Sequence, residues 1–91
     1  MAYAVDLKPA AARDLRKLPE DARRRVAARI DALETDPTPA GVEALKGESD
    51  FYRLRVGDYR ILYRIDRKIR LILVARVRHR REVYRIGSWT G

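Results

Sequence analysis

Phe51-Tyr52-Arg53-Leu54-Arg55-Val56-Gly57-Asp58-Tyr59-Arg60-Ile61-Leu62-Tyr63 reads in twos. On both sides of Gly57-Asp58 a charged residue alternates with an apolar one, the period of a strand with one buried face, and Gly57-Asp58 suits a tight turn. The alternation runs on to Asp66, Arg67-Lys68 makes a second turn, and Ile69 to Arg78 reads as a longer third strand. Turns this short join only antiparallel neighbours, so residues 51–78 predict a three-stranded meander.

The alternation sorts the side chains into two faces. One holds Tyr52, Leu54, Val56, Tyr59, Ile61, Tyr63, Ile65, Ile69, Leu71, Leu73, Ala75 and Val77, and is apolar enough to need a cover of helices. The other holds Arg53, Arg55, Arg60, Leu62, Arg64, Arg70, Ile72, Val74, Arg76 and Arg78, an arginine field around a small apolar centre. Such a face is either a solubilising sheet surface or a polyanion-binding one. Solvated surfaces usually mix both signs of charge, which favours the second.

Upstream, Tyr3 to Leu7 alternates and reads as a short strand. Pro9 opens a helix where a missing N–H costs nothing, and Ala11, Leu15 and Leu18 form its apolar stripe. Pro19 interrupts it. From Glu20 to Glu34 a second stripe runs through Ala22, Val26, Ile30 and Leu33, with Glu20 and Asp21 suited to the helix N-terminus. Arg23, Arg24 and Arg25 read as its solvated side, Asp36-Pro37-Thr38-Pro39 ends it, and Gly41 to Asp50 reads as a loop anchored by Leu45. The fold expected is α+β: an N-terminal strand, a helical hairpin, then the meander, one sheet with the helices packed on one face. Residues 1–91 are expected to form a single domain.

The formal net charge of the 91 residues is +8. Residues 51–91 hold twelve basic side chains against three acidic ones, so the excess lies entirely in this C-terminal part. Seventeen of the 21 basic residues are arginine, whose planar fork suits phosphate or carboxylate. With no cysteine, disulfides, a thiol nucleophile and thiolate-bound metals are excluded, and the lone His79 makes a histidine metal site implausible. No cofactor or metal is expected. Neither a secretory signal nor a membrane span is legible, and a cytoplasmic protein is expected.

Leu45-Lys46-Gly47, the segment Tyr52 to Tyr63, and the closing His79-Arg80-Arg81-Glu82-Val83-Tyr84-Arg85 closely resemble the RelE/ParE toxin superfamily, and Asp14-Leu15-Arg16-Lys17-Leu18-Pro19 fits that family's first helix. The resemblance covers nearly the whole chain. It implies a RelE-like fold and a toxin of a type II toxin–antitoxin system, held inactive by an acidic antitoxin in a hetero-oligomeric complex. The RelE branch implies an mRNA interferase that cuts translated message in the ribosomal A site, so the implied partners include ribosome and mRNA.

Carried over residue by residue, the family's catalytic basic positions fall on Arg53, Arg55, Arg60 and Arg78, and its base-stacking tyrosine on Tyr84. His79 and Arg80 of the closing motif become RNA contacts, and Arg64 and Arg76 join them from the arginine face. RelE itself carries lysines where this chain has Arg53 and Arg55. Arginine, with a pKa above about 12, does not take a proton from a ribose hydroxyl, so the proton acceptor stays open, with His79 one candidate. The inferred chemistry is attack of a 2′-oxygen on the adjacent phosphate, with arginines stabilising the charge and no metal required. Two other readings stand beside it: a ParE-like DNA gyrase inhibitor, and a non-catalytic or inactivated member that binds ribosome or RNA.

Overall fold

The computed structural model describes residues 2–45, 47 and 50–82. In chain order these form β1 (Ala4–Leu7), α1 (Pro9–Arg16), α2 (Glu20–Ala32), β2 (Glu43–Ala44), β3 (Phe51–Val56), β4 (Tyr59–Asp66), β5 (Leu71–His79) and a 3₁₀ turn (Arg80–Glu82). One five-stranded sheet has the order β1-β5-β4-β3-β2. The meander β3-β4-β5 is antiparallel, as its short connections demand, and β1 joins it parallel to β5, with Ala4 opposite Leu71 and Leu7 opposite Val74.

Apolar burial holds the two layers together. Ala11 of α1 and Val26 and Ile30 of α2, with Leu33 just beyond it, pack on Leu54, Val56, Ile61, Tyr63, Ile65, Ile72, Val74 and Val77 of the sheet. Fully burying each aliphatic side chain contributes about 1.5–3 kcal/mol, so this layer is the dominant stabilising term. The Tyr63 hydroxyl, inside this core, donates to the Pro37 carbonyl at 2.6 Å and ties the chain after α2 to the sheet. Gly57 turns β3 into β4 with φ +58°, a conformation open to glycine at little cost.

Three sequence expectations need correction. Within the expected loop 41–50, Glu43–Ala44 pairs with β3 as an edge strand, too short to show any period. The second turn is four residues rather than two: Asp66 Oδ1 accepts the N–H groups of Lys68 and Ile69, Arg70 takes φ +53°, and β5 begins at Leu71 instead of Ile69.

The third correction concerns facing. Between Leu62 and Tyr63 the β4–β5 register shifts: Leu62 opposes Arg76 while Tyr63 opposes Val74, leaving Ala75 as an extra residue. A bulge reverses the side-chain phase along its strand. Hence Ile72 and Val74 belong to the helix-covered core, whereas Ala75 packs with Leu62, Leu45 and Phe51 in a small second cluster. One unbroken alternation over 69–78 had set these residues the other way round.

Candidate nucleic-acid interface

The bulge returns β5 to phase with β4 at its end. Arg55 of β3 lies directly opposite Arg60 of β4, and Arg60 directly opposite Arg78 of β5. Neighbouring strands are ~4.8 Å apart, so three guanidinium stems form one row across three strands on the face away from the helices. Arg53 stands two residues before Arg55 on this face, and Arg64, opposite Phe51 and Leu73, lies further along it. Sequence alternation foresaw this grouping.

Like charges directly opposite each other repel, and the row shows it. The Arg60 guanidinium binds its proton less tightly than an ordinary arginine, first through partial burial and then through Arg55, Arg53 and Arg80; Asp58 partly offsets this. It stays charged nonetheless. Arg60 Nη1 donates to the carbonyls of Gly57 at 3.1 Å and Tyr59 at 2.9 Å, so the glycine turn that reverses the chain also holds this cation. Arg53 Nη2 donates to Glu43 Oε2 at 3.1 Å, an acceptor supplied by the edge strand β2. A surface able to stabilise several adjacent negative oxygens is the chemical outcome.

The other candidate residues are placed differently. Arg76 Nε and Nη2 donate to Asp14 Oδ2 and Oδ1 at 2.8 and 3.2 Å, which engages its guanidinium with α1. Arg80 begins the 3₁₀ turn; its N–H donates to the Asp58 carbonyl at 2.7 Å and its Nε lies 3.7 Å from Asp58 Oδ1. His79 follows Arg78 on the strand and so points to the opposite face, where its ring meets Tyr59 edge-on at 5.4 Å. Its Nδ1 accepts the Arg81 N–H at 3.2 Å, so a neutral ring carries its proton on Nε2. Tyr84 lies outside the described residues. A cleft of about 450 Å³ opens between α1 and the end of β5, lined by Asp14, Lys17, Leu18 and Tyr59 and by β5 from Arg76 to His79, so that it reaches Arg78 of the row.

Sequence reasoning missed Glu43 and the structural part of Asp14. Both meet their partners through non-local packing, and nothing in local spacing announces it.

Residues 5–84 match the family described as ParE toxin of the type II toxin–antitoxin system parDE. Toxin RelG of Mycobacterium tuberculosis is 35% identical over 93% of this chain and 99% of its own length. Among solved structures, the archaeal RelE–RelB complex from Pyrococcus horikoshii OT3 has a chain 33% identical with a TM-score of 0.78, covering 88% of this chain and 97% of that one. A chain of the RelBE2 toxin–antitoxin complex from Mycobacterium tuberculosis is 32% identical with a TM-score of 0.77, covering 87% and 99%. Fold and sequence agree: the chain belongs to the RelE/ParE family of type II toxins.

Proposed function

We propose that this toxin is a ribosome-dependent mRNA endoribonuclease neutralised by a cognate antitoxin. The row Arg55–Arg60–Arg78 is the observation that carries this reading. When the 2′-oxygen attacks the adjacent phosphate and the 5′-oxygen of the next nucleotide leaves, negative charge gathers on the non-bridging oxygens. Fixed guanidinium groups stabilise that charge without reorganising. Arg60 and Arg78 serve this role; Arg53 and Arg55 hold the RNA backbone and favour ionisation of the 2′-hydroxyl. Arginine accepts no proton, so the acceptor lies outside the row. The ribosome supplies the in-line geometry that such a site cannot impose alone.

Relatives solved as complexes with RelB support an antitoxin partner, and the arginine face suits an acidic segment that folds on binding. The cytoplasm, where ribosomes are, is the site of action, and residues 1–91 act as one domain. Expression in a bacterial host with mapping of message 5′ ends tests the reading. New cuts within translated frames, absent for Arg60→Ala, are expected.

A second reading rests on the matched family, whose description is a ParE toxin. Growth arrest with filamentation and a DNA-damage response, but no new 5′ ends, would replace the ribonuclease by a gyrase inhibitor.

A further inference from the structure

β1 accompanies β5 only as far as Leu7 opposite Val74, and Lys8 N–H then donates to the Val74 carbonyl at 2.9 Å. From Pro9 the chain is helical, so this edge of β5 loses its strand neighbour just where Ala75 bulges. Asp14 of α1 stands in for that neighbour. Its Oδ2 accepts the Val77 N–H at 3.0 Å and Arg76 Nε at 2.8 Å, and its Oδ1 accepts Arg76 Nη2 at 3.2 Å. The carboxylate and the guanidinium side chains are only 15% and 16% exposed.

A bulge re-aims the residues that follow it and leaves the strand locally less constrained. Asp14 clamps the two residues between the bulge and Arg78: one through its side chain, the other through its backbone. We propose that Asp14 is a positioning residue that fixes the end of β5 so that Arg78 stands in line with Arg60. It touches no RNA; it acts through Arg78, and this rests on the ribonuclease reading above.

Cleavage on programmed ribosomes is measured for Asp14→Ala, Asp14→Asn and Arg78→Ala, and for each Asp14 variant combined with Arg78→Ala. Protein concentrations are corrected for the folded fraction found by circular dichroism. A misplacement near 1 Å can cost up to about a hundredfold in rate, so Asp14→Ala is expected to lower kcat by about ten- to a hundredfold with KM within about threefold. Asp14→Asn keeps an acceptor for the Val77 N–H and is expected to recover part of that loss, which also serves if the alanine variant does not fold. In the Arg78→Ala background neither Asp14 change should lower kcat further. Wild-type kcat in a folded Asp14 variant, or losses that multiply with that of Arg78→Ala, would overturn the inference while leaving the ribonuclease reading intact. Arg78→Ala cutting at the wild-type rate would overturn both the role of Arg78 and the inference built on it.

Discussion

Arg60 and Arg78 oppose each other across β4 and β5 only because Ala75 is bulged out three residues before Arg78 on the strand. Had β5 run on in one phase from Val74, the end of the strand would present its other set of side chains. The bulge reconciles two demands on one strand: Ile72 and Val74 must face the helices, and Arg78 must face away from them.

The row is built against its own electrostatics, so weakening it should help the fold. Arg55 is exposed and lies opposite Arg60. Arg55→Thr is expected to raise stability by about 0.2–1 kcal/mol, because it removes a like-charged cross-strand pair and installs a good strand former. Urea unfolding of the two proteins checks this, and the gain should shrink in 1 M salt.

The reversed phase of β5 predicts unequal costs for neighbouring residues. Ile72 is fully buried among the helices and Leu73 is half-buried on the opposite face. Ile72→Ala is expected to lose about 2–5 kcal/mol and Leu73→Ala less than about half of that. Equal losses in denaturant titrations would contradict the facing.

Tyr63 predicts an alkaline limit. Burial first, then Tyr52 and Asp36, push its hydroxyl well above the ordinary value of 10. In the folded chain it stays protonated where the unfolded chain releases its proton. Its folded-state pKa is therefore raised, and its contribution is fully present below pH 10 and lost as pH rises towards the folded value. Tyr63→Phe removes this proton linkage, so its stability should decline less steeply than wild type above pH 10. It should also be the less stable protein at pH 7, through loss of the hydrogen bond to Pro37. Melting temperatures across pH 7–11.5 test both.

His79 lies on the far side of the sheet from the arginine row. His79→Phe, which keeps an aromatic edge against Tyr59, is expected to cleave within about threefold of wild type on programmed ribosomes. A loss of about a hundredfold or more in the rate would instead make this imidazole the proton acceptor.

What was legible in the sequence follows from how local each signal is. β3 and β4 alternate cleanly about Gly57-Asp58, so their faces and the Arg53, Arg55, Arg60 and Arg64 field could be read from spacing alone. β5 could not: Leu71 to Ala75 is continuously apolar, and such a run carries no phase with which to locate a bulge. Ending that strand at Arg78 also left His79 without a face, although as the next strand residue it had to point the other way. The parallel seat of β1 on β5 and the Asp14–Arg76 pair join residues more than sixty positions apart, a distance no periodicity spans.

The central claim is that the arginine row stabilises a transition state rather than merely holding RNA. Single-turnover cleavage and binding on programmed ribosomes, for wild type and Arg60→Ala, test it most directly. Removing one such charge-stabilising donor should lower the rate by about a hundredfold or more while affinity changes by only a few-fold. A loss of affinity with the bound-state rate unchanged would contradict the account and leave a basic surface that binds without catalysing.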